Sequence, residues 1–203
     1  NSFFVKSLSM HLMALLSDGG IIRRYVLLGD HLQPGNIPIS AREIAGRKIF
    51  VEIRNGAHQL PVEKIRILSQ HCGYLIVDSH TTDHRIAMDC ILLGADEACI
   101  DHSTTSQEIQ MLHAATDKSL IKITLDHWPP LNSSLDSHHQ DLLHIAAITG
   151  RNAVVTTTSN GVLKGWWDDL PENIANDFDW HFAPNEGRVL SLEKDFLIYA
   201  WLI

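Results

Sequence analysis

Acidic and histidine side chains occur together where several predicted strands end. Asp78-Ser79-His80 and Asp101-His102 each follow a short apolar run, and similar pairs are found at Asp30-His31 and Asp126-His127. Imidazole and carboxylate groups bind Zn²⁺, Mn²⁺ or Fe²⁺, and such ions activate water for hydrolysis. One hypothesis is therefore a metal-dependent hydrolase whose ligands are Asp78, His80, Asp101 and His102. The same residue types also cap helices and turns at strand–helix junctions, so a purely structural role stays open.

Alternating strands and helices would position these residues. Apolar runs that are typical of buried strands begin near residues 3, 25, 49, 74 and 97, with helical patterns between them. This alternation predicts a parallel sheet, and the carboxyl edge of such a sheet collects the residues at which the strands end. We expect residues 1–118 to form an α/β domain with a doubly wound, five-stranded parallel sheet.

Local signals mark the helix ends within this pattern. Ser40 followed by Glu43 is a capping-box pattern, Thr82-Asp83 precedes an apolar helical face, and Gly94 suits the residue after that helix. The spacing of the leucines from Leu8 to Leu16 predicts one more helix.

The pattern changes after residue 119. We expect a second, smaller α+β domain over 119–203. Its predicted elements are a strand at 121–125, a helix at 142–148 and a terminal hairpin formed by 188–192 and 196–203. The alternative is that these strands extend the first sheet into one larger barrel. The lack of clear helical patterns after residue 155 favours the separate domain.

Composition limits the classes of partner. The net charge is −8, and residues 118–203 contain six Lys/Arg against eleven Asp/Glu, which disfavours binding to DNA. No apolar run reaches eighteen residues, so no transmembrane helix is predicted. Three cysteines without metal-ligand spacing (Cys72, Cys90 and Cys99) indicate reduced thiols in a cytoplasmic protein. No glycine-rich phosphate loop follows the first strand, and no cofactor is expected.

The run from Ile49 to Ala115 resembles the second half of a response regulator receiver domain. The segment GADEACIDHSTTSQEI is similar to the end of that family, and YLIVDSH is similar to its fourth strand. The resemblance implies a flavodoxin-like fold with the phosphoacceptor position at Glu52 and the switch position at Asp78, beside Ser79. It also places Asp101 where the family has a lysine.

This resemblance implies a receiver that is not phosphorylated. In the family an acidic pair after the first strand holds Mg²⁺, and here residues 7–9, Ser-Leu-Ser, stand at that place. Phosphoryl transfer needs cations near the phosphoryl oxygens, and this site lacks the acids that would hold one. We therefore expect a degenerate phosphoacceptor pocket (Glu52, Asp78, Ser79 and Asp101), no catalytic residue, and a phosphorylation-independent regulator in signalling or transcription control.

The second half is similar, over 142–167, to a winged-helix output domain. The segment 172–180, where a recognition helix would lie, is acidic, which again disfavours DNA. The expected partners are another protein and a second copy of the chain. Ile109 and Leu112 would form the dimer face if they are exposed.

Overall fold

The computed structural model describes residues 12–17, 20–23, 25–28, 31–34, 38–53, 60–125, 134–148, 152–157, 160–177, 179–182, 187–188 and 199–200. The strands are β1 (Leu12–Ser17), β2 (Gly20–Arg23), β3 (Tyr25–Leu28), β4 (His31–Pro34), β5 (Lys48–Ile53), β6 (Tyr74–Asp78), β7 (Glu97–Asp101), β8 (Ser119–Leu125), β9 (Asn152–Thr157), β10 (Asp179–Phe182), β11 (Gly187–Arg188) and β12 (Tyr199–Ala200). The helices are α1 (Ala41–Ile44), α2 (Val62–His71), α3 (His84–Leu92), α4 (Ser106–Ala115), α5 (Leu135–Ile148), α6 (Asn160–Asp169) and α7 (Glu172–Asp177). None of these helices is long and apolar enough to cross a membrane.

Most strands belong to one nine-stranded sheet with the order β12-β10-β9-β8-β7-β6-β5-β1-β2. Its strands run parallel except β2, which is antiparallel to β1. The α/β class is therefore confirmed. The doubly wound order is not observed, because each successive parallel strand is added on the same side of the one before it. A doubly wound sheet instead grows in both directions from its first strand.

The two faces of the central strands are buried in different ways. Alternate residues of a strand point to opposite faces. On one face, residues such as Val51, Val77 and Ile121 share a single hydrophobic cluster with the helices. On the other face, which we call the inner face, five residues are buried without belonging to that cluster: Phe50, Ile76, Cys99, Leu120 and Val154. The described helices therefore cover one face of the sheet, whereas a doubly wound fold has helices on both faces.

The sheet continues across the predicted domain boundary at residue 118. β8 begins at Ser119 and pairs with β7 in parallel, and the hydrophobic cluster extends from Ile44 to Ala175. The division into 1–118 and 119–203 stays a prediction about which segments fold on their own.

Several local predictions are corrected. The described part of the predicted helix from Leu8 to Leu16 lies in β1, a strand, and residues 8–11 lie outside the described residues. A short apolar run fits either kind of element, and pairing with β5 decides between them. β3 lies in a separate three-stranded sheet with β4 and β11. The segment after residue 155 contains α6 and α7, and the described parts of the predicted hairpin, β11 and β12, lie in different sheets. The predicted strand at residues 3–5 lies outside the described residues.

The predicted helix starts are confirmed at two sites. Ser40 and Glu43 form a reciprocal capping box at α1. The Asp83 side chain caps α3 by accepting a hydrogen bond from the backbone N–H of Arg85. Gly94 follows α3 with φ +109°, a conformation that favours glycine. Short polar side chains thus fix where the helices beside β5, β6 and β7 begin.

A second glycine holds the turn before β6. A Cβ at Gly73 would lie 2.5 Å from the backbone oxygen of Gly46. We expect Gly73→Ala to lower the free energy of unfolding, because backbone atoms must shift to make room for the methyl group. The expected loss is at the upper end of the usual range of about 1–3 kcal/mol for overpacking. Gly46→Asn is the control, since nothing lies within 4 Å of a Cβ there and asparagine tolerates its φ of +68°. Urea unfolding of both variants tests this, and equal losses would contradict it.

Candidate active site

The strand ends bring four polar residues onto the inner face of the sheet. Glu52 on β5 is in register with Asp78 on β6, and Asp101 on β7 is in register with Lys122 on β8. Each lies two residues beyond an apolar inner-face residue of its own strand, so strand alternation directs all of them to this face. Charged groups therefore follow a layer of apolar side chains at the carboxyl edge.

Lys122 makes the central contact of this cluster. Its Nζ donates a hydrogen bond to Asp78 Oδ2 over 2.8 Å and lies 2.8 Å from His80 Nδ1. The side chains of Lys122 and Asp78 are only 8% and 3% exposed. A buried ammonium group needs a partner of opposite charge, and Asp78 supplies it.

His80 connects the ion pair to Glu52. Its Nε2 lies 3.1 Å from Glu52 Oε1, while its Nδ1 faces Lys122. The His80 backbone has a φ of +54°, which is uncommon for a residue with a side chain, and its N–H donates to Asp78 Oδ1 over 2.9 Å. Non-glycine residues held in this conformation cluster at functional sites. Asp78 thus both pairs with Lys122 and shapes the turn that presents His80.

The neighbouring strand end is fixed by its own hydrogen bonds. Asp101 Oδ1 accepts a hydrogen bond from the backbone N–H of Ser103 over 2.9 Å, and the His102 N–H donates to the backbone oxygen of Lys122 over 2.9 Å. Burial would raise the pKa of Asp101, but the hydrogen bonds from Ser103 and the charges of His102 and Lys122 lower it overall. Asp101 therefore stays an anion beside the Lys122 strand.

A second histidine approaches the site from α5. His138 Nε2 accepts a hydrogen bond from Nε1 of the buried Trp166 over 2.9 Å. Burial, followed by the positive charges of His102 and His139, lowers the pKa of His138 to about 4. His138 is therefore a neutral imidazole at pH 7.

This depressed pKa has a consequence for stability. The folded state favours neutral His138, so its contribution is present above the ordinary pKa of 6.5 and is lost as the pH falls from 6.5 toward 4. We expect His138→Gln to make the loss of stability over this range shallower. Urea unfolding between pH 7 and pH 4.5, with exposed His71→Gln as the control, tests this. An unchanged slope in His138→Gln would contradict it.

The predicted site residues are partly brought together. Glu52, Asp78 and Asp101 lie on the inner face, with His80 between Glu52 and Lys122. Ser79 points to the helix side of the sheet, next to Cys90. Burial raises the pKa of the Cys90 thiol to about 11, and the Ser79 side chain acts in the opposite direction. Asp126-His127 and Asp30 lie outside the described residues, and His31 is in the three-stranded sheet.

The four predicted metal ligands do not surround one point in the described part of the chain. The ammonium group of Lys122 already lies against Asp78 and His80. Among the residues that the structure describes, the set with converging ligand atoms is Asp83, His84 and Glu108, within 4.8 Å of one another. These have partners within the protein: His84 Nδ1 lies 2.6 Å from Glu108 Oε2, and Asp83 pairs with Arg85.

Sequence reasoning missed Lys122, which it treated as one residue of a strand. The available signal was a lysine in the middle of the apolar run 120–125. A lysine in a strand buried on both faces requires a charged partner, and Asp78 was the acid at another strand end. Ile109 and Leu112, expected at a dimer face if exposed, are 2% and 0% exposed because α4 packs this side on the sheet.

One solved structure to which the chain is similar is the crystal structure of KGPDC from Streptococcus mutans, determined in complex with a ligand. KGPDC is 3-keto-L-gulonate-6-phosphate decarboxylase. The identity is 16% and the TM-score is 0.49, over 75% of this chain and 73% of that chain. No family model and no curated protein matches the sequence.

The receiver-domain interpretation is wrong. The parallel strands follow one another in chain order across a single sheet, whereas a receiver domain has the doubly wound strand order. The short segments that carried the resemblance describe strand–helix junctions, which recur in many α/β folds. The predictions that depended on it are corrected with it: a non-enzymatic regulator in signalling or transcription control with a winged-helix output domain. The DNA binding that such a domain implies, which the acidic second half already disfavoured, has no support either. A protein partner, a homodimer and a cytoplasmic location stay predictions.

Proposed function

We propose that this chain is an enzyme that transfers protons at a carbon atom next to a carbonyl group. The observation that carries the proposal is the position of the Lys122 ammonium group, 2.8 Å from Asp78 Oδ2 and 2.8 Å from His80 Nδ1, at the carboxyl edge of a parallel sheet. A cation, an imidazole and carboxylates thus share one buried cluster on the inner face.

This set of groups fits the chemistry of an enolate. Removing a proton beside a carbonyl places negative charge on the carbonyl oxygen, and a fixed ammonium group stabilises that charge. A base must also reach the carbon atom, and histidine and carboxylates are the usual bases. Lys122 would stabilise the oxyanion, and His80 with Asp101 would exchange the proton.

The surrounding fold supports this placement. Eight strands run parallel in chain order, from β1 through β5–β10 to β12, and the described helices pack on one face. We propose that this arrangement is that of a (β/α)-barrel, whose active sites lie at the carboxyl ends of its strands. At the opposite edge of the inner face, Lys48, Tyr74 and Glu97 interact, and burial raises the pKa of Tyr74 to about 12. The barrel proposal therefore places the chemistry at the end that carries Lys122.

Exchange with solvent tests the proposal without knowledge of the natural substrate. The protein is incubated in D₂O with pyruvate, dihydroxyacetone, glyceraldehyde or the phosphate esters of the last two, and loss of the α-proton signals is followed by NMR. We expect catalysed exchange for at least one compound, and unchanged exchange for the variant of exposed Asp89, Asp89→Asn. Exchange at the buffer rate for every compound would overturn the proposal.

A further inference from the structure

Four side chains of the candidate active site form a continuous series of contacts. Glu52 Oε1 lies 3.1 Å from His80 Nε2, His80 Nδ1 lies 2.8 Å from Lys122 Nζ, and Lys122 Nζ lies 2.8 Å from Asp78 Oδ2. We propose that Glu52 and His80 activate Lys122 as a nucleophile, and that Lys122 forms an imine with the carbonyl carbon of an aldehyde or ketone substrate. This inference rests on the proposed function and sharpens the role of Lys122 in it: the iminium nitrogen, in place of the carbonyl oxygen, accepts the electrons when the adjacent proton is removed.

The orientation of the His80 ring places a basic nitrogen next to the amine of Lys122. An ammonium group can only donate, so His80 Nδ1 accepts from Lys122 Nζ and carries the lone pair. The ring hydrogen is then on Nε2, which lies 3.1 Å from Glu52 Oε1. A carboxylate that orients a histidine, which in turn deprotonates a nucleophile, is the arrangement by which weak nucleophiles are activated. The strained backbone of His80, held by Asp78 Oδ1, fixes the ring between the other two groups.

Asp78 has a separate function in this scheme. Its carboxylate faces the nitrogen that is positively charged as an ammonium group and again as an iminium group. The charge pair with Asp78 is therefore present in the resting enzyme and again in the iminium intermediate, and it is absent only while the neutral amine attacks. The small exposure of Lys122, 8%, limits the access of water to the imine. The same positive charge would withdraw electrons from the adjacent carbon and ease the proton transfer proposed above.

The covalent step balances without a redox partner. A proton moves from the Lys122 ammonium group to His80 Nδ1, and the amine attacks the carbonyl carbon to form a C–N bond. The nitrogen gives one hydrogen to the carbonyl oxygen, which yields a neutral carbinolamine. His80 then returns its proton to that hydroxyl group, the C–O bond breaks, and water leaves as the nitrogen lone pair forms the C=N bond.

A second partly buried lysine provides an internal comparison. Lys48 Nζ lies 4.6 Å from the centre of the Tyr74 ring, at the opposite edge of the sheet, and burial lowers its pKa. A lowered pKa alone would make Lys48 reactive. The relay instead predicts that Lys122 reacts, because an oriented imidazole lies at its amine.

Reductive trapping tests the inference. The full chain is incubated with pyruvate, dihydroxyacetone or glyceraldehyde, sodium borohydride is added, and the adduct is measured by intact mass and located by peptide mapping. We expect one adduct per chain, on Lys122, with a compound that also exchanges its α-proton. Lys122→Arg should remove the adduct, and His80→Gln should slow its formation about 10²-fold. Lys118→Arg, at the exposed residue immediately before β8, should not change it.

The outcomes separate this inference from the proposed function. Catalysed exchange without an adduct on Lys122 would overturn imine formation and leave the proton-transfer function standing. An adduct on Lys122 without catalysed exchange would support imine formation and overturn the proton-transfer function. Labelling of Lys48 or Lys118 to the same extent as Lys122, or an unchanged rate in a folded His80→Gln variant, would overturn the relay.

Discussion

Replacing Asp78 by alanine is expected to lower the free energy of unfolding by about 3–5 kcal/mol, because the buried ammonium group of Lys122 loses its carboxylate. Both side chains are nearly inaccessible, so water cannot take the place of the missing partner. Asp78→Ala also removes the acceptor for the His80 N–H, which adds to the loss.

A double-mutant cycle isolates the charge pair. Lys122→Met alone should also destabilise, since it leaves Asp78 buried and unpaired. Asp78→Ala combined with Lys122→Met should lose much less stability than the sum of the two single changes. Glu63→Ala, which removes the exposed pair with Arg66, serves as the control and should change stability by less than about 0.5 kcal/mol. Urea unfolding of the set measures the coupling. Additive losses at Asp78 and Lys122 would contradict a strong interaction between them.

Lys122→Met is expected to reduce catalysed solvent exchange by at least about 10²–10³-fold, because the fixed cation that faces the developing oxyanion is removed. Methionine has a similar length, so the space that the side chain fills is largely kept. The rate is measured by NMR with the carbonyl compound that exchanges fastest in the unaltered protein.

Stability must be separated from catalysis in that experiment. Asp78→Asn combined with Lys122→Met removes both charges, keeps the fold and should be as inactive as Lys122→Met. Lys118→Met, at the exposed residue immediately before the same strand, should retain full activity. Retained exchange in either variant that lacks Lys122 would show that the ammonium group is not needed.

The sequence by itself determined the local elements and the residues at their ends. The apolar runs at 49–53, 74–77 and 121–125 form strands because few other conformations bury such short runs on both faces. Ser40 and Asp83 begin their helices because a side-chain oxygen next in sequence satisfies the backbone N–H groups of the first turn. Asp78 and Asp101 were expected at strand ends, and they lie there.

Only the tertiary structure decided the order of the strands and which polar residues at the strand ends contact one another. Local patterns do not specify on which side of β5 the next strand pairs, so a doubly wound order and a sequential order predict the same alternation. The site depends on contacts across 42 and 44 positions of the chain, from Lys122 to His80 and to Asp78. In the sequence Lys122 is one residue of a strand. Because the tertiary structure buries its ammonium group, Lys122 needs a partner of opposite charge. Residue types and spacing predicted where polar groups would collect, and only the parallel register decided that an ammonium group would lie among them.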